Sequence, residues 1–176
     1  MGNATAHDVV LLGLAGFRVL GVVENAAELV ITVETVAEQR RCPECGGRAV
    51  GKGRRTVMVR DLPMGGRPLR LRWRKRRLCC PDPGCPRRSW SETHPEIRPR
   101  RVLTERARRE ACRRVGQDAA TVAQVDRHFG LSWPTIWAAV VEYGTPLVGD
   151  RPSRGSPRLA STSTAGDTPG PMGSGR

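Results

Sequence analysis

A chain of 176 residues with an aromatic content of only 4% can hold one or two small domains, which excludes a large enzyme core. Its 30 Lys and Arg against 17 Asp and Glu give a net charge of +13, and that excess is concentrated rather than spread. Cations stand against carboxylates 1 to 5 in residues 1–39, 24 to 7 in residues 40–114, 1 to 3 in residues 115–148 and 4 to 2 thereafter, so binding through charge falls to the middle of the chain.

Concentrated positive charge favours a polyanion, because each phosphate neutralised releases condensed counterions. A membrane surface fits less well, since no amphipathic apolar stripe accompanies the basic clusters. Residues 1–6 carry no cationic leader, and the apolar run from Val9 is short and ends in Gly and Arg. The expectation is a cytoplasmic, nucleoid-associated chain without a signal peptide or membrane segment.

In chain order, residues 17–23 and 29–36 are rich in β-branched side chains and flank a polar turn, so they are predicted to pair as a hairpin in an N-terminal region, residues 1–39. Next comes Cys42-Pro-Glu-Cys45. Residues 56–60 and 69–73 predict a second strand pair around Met64-Gly65-Gly66-Arg67-Pro68. Leu69, Arg70, Leu71, Arg72 and Trp73 alternate with the period of a half-buried strand. That strand leads through Arg74, Lys75, Arg76 and Arg77 into Cys80-Pro-Asp-Pro-Gly-Cys85.

Two short Cys knuckles on a chain with no secretory signal point to a zinc ribbon, in residues 40–95, rather than to disulfides. Four thiolates, from Cys42, Cys45, Cys80 and Cys85, close a tetrahedral site with no position left for water, which makes the Zn2+ structural. Proline follows both Cys42 and Cys80, which favours Cys80 over its neighbour Cys79 as ligand; Cys79 stays open as the alternative. His94 is a candidate replacement for one thiolate, and Cys112 reads as a small buried residue in a helix. With so few aromatic residues in this region, folding of residues 40–92 is expected to depend on the metal.

Beyond Pro99 the period becomes helical. Leu103, Ala107, Ala111 and Val115 recur every four residues, with Arg106, Arg109 and Arg113 on another face, predicting a helix over residues 104–115. Thr121 and Gln124 have capping-box spacing, and Gly130 stands where a left-handed residue would end that second helix. Ser132 as N-cap, Pro134 in the first turn and a Leu131–Ile136 staple start a third.

A capped helix, a tight turn and a second capped helix after an additional first helix make a helix-turn-helix domain, residues 100–146, although Asp126 stands where a small residue is usual. Ser132, Thr135 and Trp137 are the side chains placed to reach base edges. They are few, so affinity is expected to rest on arginines: Arg70, Arg72, Arg74, Lys75, Arg76 and Arg77 in one cluster, and Arg98, Arg100 and Arg101 in another.

These pieces resemble the N-terminal half of bacterial insertion-sequence transposases of the ISL-three family. The resemblance rests on Cys42-Pro-Glu-Cys45-Gly46, Arg60-Asp61-Leu62-Pro63, Arg76-Arg77-Leu78-Cys79-Cys80 through Cys85-Pro86-Arg87, Trp90-Ser91-Glu92, and Phe129-Gly130-Leu131-Ser132-Trp133-Pro134-Thr135. It covers about residues 8–148. It implies Cys42, Cys45, Cys80 and Cys85 as metal ligands, double-stranded DNA at transposon terminal inverted repeats as partner, and, in the family, a following catalytic domain with an Asp, Asp, Glu triad.

The resemblance stops near Val148. Of residues 149–176, eighteen of twenty-eight are Gly, Pro, Ser or Thr, so a disordered tail is expected, and Asp150 and Asp167 alone cannot build a two-metal phosphoryl-transfer site. With permissible codons, residues 160–168 read in another frame give a segment like the one carrying the family's first catalytic Asp, so the tail is expected to be frameshifted.

The fold class expected is α+β: a small β-rich zinc ribbon, a three-helix helix-turn-helix domain and the tail. The function expected is that of a non-enzymatic, DNA-binding transposase fragment, able to self-associate or to join full-length transposase. The alternative is a free-standing regulator or an RNA-binding protein made of the same parts.

Overall fold

The computed structural model describes residues 13–36 and 41–149, so the expected tail, from residue 150 onward, lies outside the described residues. The architecture is α+β, with a five-stranded sheet followed by three helices.

Strands β1 (Phe17–Glu24) and β2 (Leu29–Thr35) form the expected antiparallel hairpin, turned by Asn25, whose side-chain oxygen accepts the Ala27 and Glu28 amides at 2.9 Å. Strands β3 (Val50–Met64) and β4 (Arg67–Cys79) form the second, and both run much further than expected. Gly65 and Gly66 both have positive φ, 59° and 75°, as a two-residue hairpin turn of matching twist requires. A short β5 (Ser89–Ser91) pairs with the end of β4.

The two hairpins share one sheet. β2 lies parallel to β4, from Leu29 opposite Leu69 to Val33 opposite Trp73, giving the order β1-β2-β4-β3. Alternation along β4 sends Leu69, Leu71 and Trp73 to the core side and Arg70, Arg72 and Arg74 to the other. On the core side these residues join Leu14, Phe17, Ile31, Val33, Val59 and Ile97 in a single buried cluster.

That cluster adds an apolar core to the metal site expected to hold the ribbon. The hairpin and residues 13–17 supply apolar surface that the ribbon alone lacks, and the core lies under the middle of the sheet, with no ligand Cys in it.

Helix α1 (Glu105–Gly116) starts at Thr104, whose hydroxyl accepts the Ala107 amide at 3.3 Å. Helix α2 (Val122–Phe129) begins with the expected Thr121/Gln124 capping box and ends at Gly130 in the left-handed conformation, φ 63°. Helix α3 (Trp133–Val148) starts after Ser132 and continues a little beyond the expected end. Leu103, Ala107, Ala111, Val125, Phe129 and Ile136 close a second core, with Leu62 of β3 packed against it.

The two halves are joined firmly. The Arg60 amide donates to the Val102 carbonyl at 2.7 Å, and the Thr104 amide donates to the Arg60 carbonyl at 2.9 Å. Asp61, fully buried, accepts from the Thr104 hydroxyl at 2.6 Å and from Arg106 Nε at 2.8 Å, with a second Arg106 nitrogen on its other oxygen. Among the described residues no helix is long and apolar enough to cross a membrane.

Candidate metal centre and nucleic-acid interface

At the far end of the sheet from the helices, the two knuckles face each other. The Sγ atoms of Cys42, Cys45, Cys80 and Cys85 all lie within 4.8 Å of one another, with Cys42 to Cys85 at 3.7 Å and Cys45 to Cys80 at 3.6 Å. A disulfide needs about 2.05 Å, so these are not disulfides. A tetrahedron of sulfurs about 2.3 Å from a zinc ion has edges of about 3.8 Å, which matches.

The surroundings fit the same ion. Burial raises the Cys42 thiol, but hydrogen bonds from the backbone at Cys45 and Glu44 outweigh it and bring its pKa down to about 7. Cys80 is instead pushed up to about 12, by burial and by thiol neighbours Cys45, Cys85 and Cys42. Cys42 is therefore more readily ionised than Cys80, and a divalent cation would supply the charge that favours thiolates at such a site. Zn2+ held in this way is structural, since four thiolates leave no open position.

Cys79 belongs to β4 and points its thiol at the Val50 carbonyl, 3.6 Å away, so it is Cys80 that joins the cluster. His94 packs on the Phe17 ring, with centroids 4.2 Å apart, away from the thiols. Cys112 is buried in α1, as its helical position suggested.

The expected basic clusters are rearranged in space. Arg70, Arg72, Arg74 and Arg76 share the sheet face opposite the core, on alternate residues about 6.7 Å apart. Carboxylates from the first hairpin reach into this row. Glu34 takes Arg18 at 3.1 Å, Arg54 at 3.0 Å and Arg74 at 3.5 Å, while Glu28 takes Arg70 at 3.1 Å and Arg60 at 2.5 Å. Buried Glu92 accepts the Arg76 amide at 2.7 Å and its Nε at 3.1 Å. Arg72 and Arg77 are exposed and, among the described residues, have no carboxylate partner.

Lys75 lies on the core side of β4, its ammonium 4.8 Å from the centre of the Trp73 ring. There it meets the second cluster. Arg98, Lys75, Arg100 and Arg101 line one cavity with Arg55, a residue the sequence clusters did not include. Arg98 is tied to Glu105 and Glu142, both at 2.6 Å, and Arg101 to Glu142 at 3.1 Å. Nearby Arg106, Arg109 and Arg113 are likewise engaged, with Asp61, with Glu96 at 3.1 Å and with Glu110 at 2.7 Å.

At the helix-turn-helix, Ser132 makes no side-chain cap; its hydroxyl meets that of Thr135 at 3.0 Å. Trp137 is exposed and stacks on Trp133, with ring centroids 5.5 Å apart and planes 21° apart. Trp133 was missed as a site residue, although its i, i+4 spacing to Trp137 places both on one face. The turn rests on the sheet, a Cβ built on Gly130 standing 3.4 Å from Pro68 in the β3–β4 hairpin.

Two family models match the chain: the zinc-finger of transposase IS204/IS1001/IS1096/IS1165 over residues 38–87, and the helix-turn-helix domain of transposase family ISL3 over residues 92–144. The chain belongs to the ISL3 transposase family. Its match consists of that family's DNA-binding parts, a zinc ribbon and a helix-turn-helix, which together make up more than half of the sequence. None of the curated proteins and none of the solved structures matches the chain.

Within this ISL3 chain two motif residues outside the knuckles turn out to be architectural. Asp61 of Arg60-Asp61-Leu62-Pro63 joins the sheet to the first helix, and Glu92 of Trp90-Ser91-Glu92 fixes Arg76 at the end of β4.

Proposed function

We propose that this chain binds the terminal inverted repeats of an ISL3 insertion sequence as double-stranded DNA, at the nucleoid, and does so without catalysing strand transfer. Helix α3 enters the major groove by its N-terminus, where Ser132, Thr135 and Trp137 meet base edges, with Trp133 stacked beside them. Phosphates are held from the sheet by Arg72, with Arg70, Arg74 and Arg76 in its row, by Arg77 near the end of β4, and from the loop side by Lys75, Arg98, Arg100 and Arg101.

The observation that carries this reading is the seating of the helix-turn-helix turn on the β3–β4 hairpin, so that one continuous strand runs from the recognition helix to the zinc knuckle. From Arg70 to Arg77 that strand spans about 23 Å. A DNA-binding piece of this kind would occupy transposon ends, alone, as a self-associated pair or beside full-length transposase.

The test is fluorescence anisotropy with a duplex carrying the element's terminal repeat and a scrambled duplex. Replacing Ser132, Thr135 or Trp137 by Ala should narrow the difference between the two duplexes more than it weakens binding to either. A clear preference for single-stranded RNA would instead support an RNA-binding protein and overturn the reading.

A further inference from the structure

We propose that the cavity between the sheet and the loop of residues 97–101, which leads into α1, is a socket for one backbone phosphate of the bound duplex, with Arg55, Lys75 and Arg100 as its donors and Arg98 and Arg101 as its fixed wall. This rests on the DNA-binding reading above and adds to it a defined site. The cavity has a volume of about 310 Å³ and an apolar floor that includes Trp73 and Ile97, both nearly fully buried.

Three features of the folded chain independently point to an anion here. First, Arg55 and Lys75 stand directly opposite each other on β3 and β4, where like charges repel. Among the described residues neither has a carboxylate within ion-pair distance; the nearby Glu92 is committed to Arg76. Second, burial lowers the pKa of Lys75 and Arg55 lowers it further, and the Glu92 charge opposes this without cancelling it, so the buried ammonium is only partly compensated.

Third, Arg100 has φ 61°, a left-handed backbone conformation that a residue with a Cβ avoids. Such outliers gather where a side chain must be presented to a ligand. Its neighbours Arg98 and Arg101 are clamped by Glu142, which holds the loop that carries Arg100 in place. One phosphodiester oxygen pair among two forked guanidiniums and an ammonium relieves the repulsion and gives the strained Arg100 a partner.

The experiment uses the zinc-loaded chain and a duplex of about thirty base pairs, titrated between 50 and 200 mM salt. One phosphate contact contributes about 0.9 to the slope of log K against log salt, which is about 3.5-fold in affinity over that range. Arg55→Gln, Lys75→Met and Arg100→Gly should each weaken binding. Because the three donors share one phosphate, the triple variant should remove about 0.9 of slope in all, whereas Arg88→Gln, at an exposed site elsewhere, should leave the slope unchanged.

Arg100→Gly should also raise Tm while lowering affinity, since Gly accepts the backbone conformation freely. A purely structural role for Arg100 predicts the reverse, a lower Tm with affinity retained. A triple variant with the slope and affinity of the parent chain would overturn the socket and leave the DNA-binding reading standing; absence of any salt-dependent duplex binding in the parent would overturn the reading itself. Tighter competition by inorganic phosphate, a mononucleotide or single-stranded RNA than by the duplex would assign the cavity to another phosphate ligand and overturn the proposal.

Discussion

Replacing Asp61 by Ala should be among the most damaging single changes outside the metal site. Asp61 is fully buried and receives the Thr104 hydroxyl at 2.6 Å, Arg106 Nε at 2.8 Å and a second Arg106 nitrogen. Its removal leaves the Arg106 guanidinium, whose side chain is only 18% exposed, without its main counter-charge, and leaves the Thr104 hydroxyl without an acceptor. Breaking a buried pair from one side costs about 3–5 kcal/mol, against a total stability of about 5–15 kcal/mol. At about 2–4 °C per kcal/mol for a chain of this size, Tm should fall by about 6–20 °C.

Calorimetry and urea unfolding of the zinc-loaded protein measure both quantities. The double variant Asp61→Ala, Arg106→Met should be more stable than Asp61→Ala alone, because the orphaned charge is gone. A loss below about 1 kcal/mol in the single variant, or a double variant that costs the sum of the two singles, would refute the claim that this pair locks the helices to the sheet.

Three further outcomes are expected. Cys42→Ser should lower bound zinc from one per chain, measured by atomic absorption, and loosen the two knuckles, while Trp73 in its separate core keeps its native fluorescence. Glu110, held down from 4.5 to about 2 mainly by its hydrogen bond from Arg113, contributes stability above its unfolded pKa that is lost as pH falls through its folded one. Acid unfolding of Glu110→Gln should therefore show less pH dependence between about pH 4.5 and 2, an effect screened at high salt. Gly130→Ala, at φ +63° and against Pro68, should cost about 1–2 kcal/mol in urea unfolding, and Gly130→Asn less.

The features legible in the sequence were those written locally. The Thr121/Gln124 box, Gly130, the Asn25 turn region and the Cys spacings each depend on residues a few positions apart, and all stand as read. The parallel pairing of β2 with β4 was not legible, because it joins residues about forty positions apart and no local period marks it. For the same reason the sequence showed a run of cations without showing Glu28 and Glu34, which arrive from the first hairpin and engage part of it. Strand alternation then splits the run, sending Lys75 away from Arg74 and Arg76 and toward Arg55 and Arg100. Asp61 and Glu92 stood in recognisable motifs, but only their burial shows that they act as joints.

The most direct measurement of the central claim is the affinity of the intact, zinc-loaded chain for a terminal-repeat duplex and for a scrambled one, across salt and before and after chelation. Binding should be tighter to the repeat, fall steeply with salt and weaken once zinc is removed. Equal affinity for both duplexes at every salt concentration, or binding indifferent to salt, would contradict it.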